Sequence, residues 1–170
     1  MQDASGLTTL KVHFEGDKPM FRMSVMLVAL MLSWSGTAKA GGVGIEHIVS
    51  DDGIEAVDQR LRNALEERGM RLVTVVDHAA NAESVELSLS PTRTFIFGNP
   101  EIGTPMMQCQ GSLALDLPQK MVIRVEGEQI LVEWNDPHYL AERHGLGNCE
   151  LPLDKVAEAL QGIAAEAAGE

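Results

Sequence analysis

Lys120-Met121-Val122-Ile123-Arg124-Val125-Glu126-Gly127-Glu128-Gln129-Ile130-Leu131-Val132-Glu133-Trp134-Asn135-Asp136-Pro137 decides the fold. Two β-prone runs, Lys120 to Glu126 and Gln129 to Trp134, flank Gly127-Glu128, the pattern of a β-hairpin closed by a tight turn. Asn135-Asp136-Pro137 stops the second strand. Asp136 is placed to cap a helix with Pro137 at its first position, and Gly145 to end it, so this helix carries His138 to His144.

Working outward, Thr94-Phe95-Ile96-Phe97 reads as a buried strand that the chain leaves at Gly98-Asn99-Pro100. Thr104 and Pro105 are expected as N-cap and first residue of a helix running to about Cys109. Earlier, Val43, Ile45 and Ile48 mark a strand ending near Ser50, preceded by a flexible leader, Gly41 to Gly44. Asp51 or Asp52 is the expected cap of the next helix. In that helix Ile54, Val57, Leu61, Ala64 and Leu65 recur at helical spacing, while Asp58, Arg62 and Glu66 fall outside the stripe. Gly69 is placed just past its end. A β-rich run, Arg71 to Val76, follows. Ala79 to Ser90 reads either way, with Ala79-Ala80-Asn81-Ala82 suited to a short helical turn. Leu153, Val156, Leu160 and Ile163 give a last amphipathic helix. This order predicts one small α+β domain over residues 41–170, a mainly antiparallel sheet with packed helices.

Residues 1–40 read differently. Val25 to Leu32 is a run of eight apolar residues behind Lys18 and Arg22, and it leads through Ser33 to Thr37 into Ala38-Lys39-Ala40. A basic start, an apolar centre and an A-x-A site are the parts of a secretory signal peptide, with cleavage expected after Ala40. The run is far short of the roughly 20 residues that span a bilayer. Met1 to Pro19 is acidic and polar, so translation is expected to begin at Met20. The protein is therefore expected in the periplasm or secreted, with no membrane span after cleavage.

Setting aside Lys11, Lys18, Arg22 and Lys39, and Asp3, Glu15 and Asp17, leaves nine basic and 22 acidic residues. Such a negative chain excludes nucleic acid and anionic membrane surfaces as partners, because both require Lys/Arg clusters. Phe95, Phe97, Trp134 and Tyr139 are the whole aromatic set after residue 40, too few for carbohydrate platforms or base-stacking sites. Cys109 and Cys149 are the two cysteines. In an oxidising compartment an even count reads first as a disulfide, and no CxxC spacing or basic neighbour favours a redox or metal role.

Val76-Asp77-His78-Ala79-Ala80-Asn81-Ala82, Phe97-Gly98-Asn99-Pro100 and Gly103-Thr104-Pro105-Met106-Met107-Gln108 stand in one order with Leu115-Asp116-Leu117-Pro118 and Asn135-Asp136-Pro137-His138-Tyr139-Leu140. Together they resemble the Domain of Unknown Function 302 family over about Ile45 to Gly145. The resemblance implies a small α+β domain, often a homodimer, with no assigned activity. Cys109, Cys149 and the signal peptide look like features of an exported branch.

No nucleotide loop, zinc-protease helix or nucleophile elbow is present in the sequence. The candidate ligand-binding residues are His78, Asn99, Gln108, Asn135, Asp136, Tyr139, Arg143 and His144, most of them at strand ends or on the short helices that follow. Individually each has a structural role to play: Asn99 and Asp136 as caps, Gln108 as a loop tie, Tyr139 and Arg143 as a helix-face pair, His144 at a helix C-terminus, His78 fixing a turn. As a set they suggest a module that binds a small molecule or a protein partner. A metal or haem protein using His78 or His144, with Met106 or Met107 as soft donors, is the alternative. An acid–base enzyme using His144 and Asp136 is the second alternative. The sequence assigns neither a reaction nor a cofactor.

Overall fold

The computed structural model describes residues 42–170; the expected signal peptide lies outside the described residues. Ten regular elements follow one another: β1 (Ile45–Ser50), α1 (Ile54–Glu67), β2 (Arg71–Asp77), α2 (His78–Glu83), β3 (Thr92–Gly98), α3 (Pro100–Cys109), β4 (Gln119–Glu126), β5 (Gln129–Asn135), α4 (Pro137–His144) and α5 (Leu153–Ala168). Short 3-10 turns occupy Gly111–Leu115 and Leu146–Asn148. The strands make one sheet in the order β1-β5-β4-β3-β2, and every neighbouring pair is antiparallel. This is the α+β architecture expected from the hairpin.

The hairpin sets the register. Met121 lies opposite Trp134, Ile123 opposite Val132 and Val125 opposite Ile130. Side chains alternate across a strand, so these rows share one face with Phe95 and Phe97 of β3. That face carries the core, with Phe95, Phe97, Met121, Ile123 and Val132 fully buried. β1 and β2 lie at opposite edges, so α1 must carry the chain across this face. Val57, Leu61, Ala64 and Leu65 of α1 pack with Leu160, Ile163, Ala164 and Ala167 of α5 against the strands. The alanines let the two helices approach closely. The Ser50 hydroxyl donates to the Ala168 carbonyl at 2.7 Å, fastening edge strand β1 to the end of α5. A smaller second core, Met106, Leu113, Leu140 and Leu146, joins α3, α4 and both 3-10 turns.

Several boundaries differ from the sequence reading. α3 begins at Pro100, because Asn99 accepts a hydrogen bond from the Glu101 N–H at 2.9 Å and Pro100 takes the first position. Thr104 is therefore no cap, and Pro105 lies inside the helix at an exposed position, where it has no N–H to give the Glu101 carbonyl. α1 starts at Gly53 without a side-chain cap. Asp51 instead accepts from Gln129, and Asp52 pairs with Arg60. The chain after α1 closes as expected: Met70 N–H bonds to Leu65 O and Gly69 N–H to Glu66 O, a Schellman motif. Gly44 is fixed rather than loose. It sits at φ +75° against the Tyr139 ring, where an added Cβ would fall 2.1 Å from a ring carbon, and its carbonyl accepts the Asp136 N–H.

Candidate functional site

The eight residues expected to form a site are distributed over several regions. Asp136 caps α4 by accepting the His138 N–H at 2.9 Å, as Asn99 caps α3. Asn135 is the last residue of β5, opposite Ile45. Tyr139 packs on Gly44 and on the second core. His78 opens α2, and its Nε2 lies 2.8 Å from the Thr94 hydroxyl, tying α2 to β3. Gln108 is exposed on α3. Only Arg143 and His144 come together, on a residue absent from the expected set: Asp116.

His144 is buried at 8% exposure, with Nε2 2.6 Å from an Asp116 carboxylate oxygen and Nδ1 2.9 Å from the Ser112 hydroxyl. A neutral ring satisfies both contacts when Nε2–H donates to Asp116 and Nδ1 accepts from Ser112. Arg143 approaches the same carboxylate at 3.3 Å. Hydroxyl, imidazole and carboxylate in this order form the relay of nucleophilic catalysis. The same bonds also bind the last turn of α4 to the Gly111–Leu115 turn, beside the second core. Both ring nitrogens of His144 thus have protein partners. Among the described residues no three His, Cys, Asp or Glu side chains gather as a metal-ligand group.

Ion pairing concentrates on the helix-covered side of β3. The Arg93 guanidinium grips Glu55 at 2.6 Å and Asp58 at 2.9 Å. The hydrogen bond with Glu55 is the largest reason its pKa rises, and the same bond lowers that of Glu55. Asp77 is lowered chiefly by the Ala80 N–H that it accepts as cap of α2. On the opposite sheet face Arg124 pairs with Glu133, which raises its pKa, and with Glu126. These pairs brace strands and helix; none lines the apolar cavity beside α3.

That apolar cavity lies elsewhere. α3, the first half of α5 and the adjoining ends of β2 and β3 enclose about 380 Å³. Its wall is built mainly from apolar groups, including Met70, Phe97, Ile102, Met106, Leu117 and Leu160, and its charged lining residues are Arg71 and Lys155. Of the expected site residues only Asn99 lines it. Cys109 and Cys149 form a disulfide with Cα atoms 6.3 Å apart. This bond joins the end of α3 to the segment entering α5, so it couples two walls of the cavity. Arg71 and Lys155 were not legible as site residues, because their place on a shared wall is a tertiary fact. Asp116 did carry a signal, its position in Leu115-Asp116-Leu117-Pro118, within one of the sequence signatures.

The profile of the family described as "Domain of unknown function DUF302" matches residues 46–167. The chain belongs to the DUF302 family. The crystal structure of an uncharacterized conserved DUF302 protein from Bacillus stearothermophilus shares the fold of this DUF302 domain. Its TM-score is 0.68 at 13% identity, over 74% of this chain and 99% of that one. Two curated relatives are channels by name. "Fluoride-specific ion channel FluC 1" of Brucella suis biovar 1 is 36% identical over 105 residues, 61% of this chain and 41% of its own length. "Fluoride-specific ion channel FluC 2" of Brucella melitensis biotype 1 is 36% identical over 105 residues, 61% of this chain and 39% of its own length. This DUF302 chain thus spans about two fifths of the curated relatives it matches.

Proposed function

We propose that this DUF302 protein is an exported small-ligand-binding module whose ligand occupies the cavity between α3 and α5. The observation that carries the reading is the cavity itself. At about 380 Å³, with a mainly apolar wall and few polar groups, it has the size and character of small-molecule sites. Export is supported by the signal-peptide pattern before Gly41 and by the Cys109–Cys149 disulfide, a bond that persists in oxidising compartments. Fluoride conduction is named for the Brucella relatives as whole proteins. Among the described residues no helix is long and apolar enough to cross a membrane. We take the shared segment to be an extramembrane module.

Ala159→Phe tests the reading, since Ala159 lines the cavity and a ring there would occupy it. Calorimetric titration with a medium-chain alcohol should give saturable binding to the native protein and none to a folded Ala159→Phe variant. Equal binding by both proteins would remove the cavity from the account.

A second reading rests on the Ser112–His144–Asp116 hydrogen-bond order, with Asp116 in the place expected of Asp136. It requires ester hydrolysis that disappears in Ser112→Ala. Absence of turnover in the native protein would leave the relay a structural clamp.

A further inference from the structure

From the charges around the cavity we infer that its ligand is an amphipathic anion, an alkyl chain ending in a carboxylate, with Arg71 and Lys155 holding the head group. The inference rests on the cavity reading and adds the chemical class. Residues 42–170 hold 22 acidic and nine basic side chains, yet the cavity lining contains Arg71 and Lys155 and no Asp or Glu. A wall drawn at random from so acidic a chain would carry more carboxylates than cations.

The pairing of the cations sharpens the point. Arg60, Arg62, Arg68, Arg93, Arg124 and Arg143 each meet a carboxylate. Lys120 donates to two backbone carbonyls, of Asp116 and Pro118. Among the described residues Arg71 and Lys155 are the two left without a protein partner, and both belong to the cavity. Both are exposed residues of the lining, and the rest of that lining is mainly apolar. Lys155 also stands in the first turn of α5, a helix with no side-chain cap. Asp154 shares that turn, with its carboxylate 3.2 Å from His138 Nε2. A mainly apolar wall that also carries two unpartnered cations is complementary to a chain with an anionic end. A neutral apolar ligand would use the interior alone.

The test compares decanoate with decanol by calorimetric titration, on the native protein and on Arg71→Gln/Lys155→Gln. Decanoate should bind the native protein roughly tenfold more tightly than decanol, the scale of a charge-assisted hydrogen bond at a screened, exposed site. The double variant should lose that advantage and bind decanol unchanged, and added salt should erode the advantage in the native protein. Equal affinity for the two compounds would overturn the anion assignment and leave the cavity reading standing. Preference for decanoate that survives the double substitution would overturn the assignment to Arg71 and Lys155. Binding of neither compound would overturn both the inference and the cavity reading beneath it.

Discussion

Replacing His144 with alanine should destabilise the domain strongly, because the ring is a buried connector. Its side chain is 5% exposed, and both nitrogens are bonded, to Asp116 at 2.6 Å and to Ser112 at 2.9 Å. Truncation deletes two hydrogen bonds and leaves the Asp116 carboxylate, itself 12% exposed, with Arg143 as its remaining ion-pair partner at 3.3 Å. Ser112 is exposed and can turn to water at little cost. The stranded carboxylate therefore dominates, and a buried acceptor that loses its donor costs about 1–3 kcal/mol. For a domain of this size, with an unfolding entropy of about 2.1 cal/mol/K per residue, about 2 kcal/mol corresponds to a fall in Tm of roughly 7 °C. Calorimetric melting of His144→Ala, Asp116→Ala and the double variant separates the pair from the individual losses. The double variant should melt well above the temperature expected from adding the two single effects. A Tm for His144→Ala within a degree of native would refute the connector role.

Three further outcomes follow from single features. The Cys109–Cys149 bond closes a loop of 40 residues, so Cys109→Ser should cost about 4 kcal/mol by chain entropy and also weaken cavity binding, read by chemical denaturation and titration under matched conditions. Gly44→Ala forces a methyl group into the Tyr139 ring at positive φ and should cost about 1–3 kcal/mol, whereas Gly44→Ala in a Tyr139→Ala background should cost less. Glu55 and Asp77 have lowered pKa values, so their stabilisation is complete above their unfolded values of 4.5 and 3.8 and is lost as pH falls through the lower folded values. Glu55→Gln should therefore flatten the loss of stability below about pH 4, and an unchanged acid limb would exclude the Arg93–Glu55 pair as a contributor.

The parts of the fold that were legible in the sequence are those fixed by local chemistry. The hairpin at Gly127-Glu128, the Asp136-Pro137 start and Gly145 end of α4, and the Gly69 closure of α1 all depend on residues a few positions apart, and all stand as read. The start of α3 differs from the sequence reading because Asn99-Pro100 and Thr104-Pro105 offer the same cap chemistry, and only the Glu101 N–H to Asn99 bond decides between them. The candidate site residues carry binding chemistry, and the fold uses that chemistry in several separate places. Asn99 and Asp136 satisfy helix ends, while Tyr139 supports the backbone at Gly44. The cavity draws on β2, β3, α3 and α5, and no sequence window contains those segments together. Its main signal, two cations without a protein partner, exists only once six arginines have met carboxylates and Lys120 has met backbone carbonyls.

Ligand occupancy of the cavity is read most directly by a chemical-shift titration of the isotope-labelled protein with decanoate, following backbone amides. Saturable shifts are expected at Arg71, Gly103, Met106, Lys155 and Ala159, the residues around the cavity, with little change at Ser112, Asp116 and His144. Shifts centred on the His144 cluster, or no shifts at any site, would contradict that occupancy.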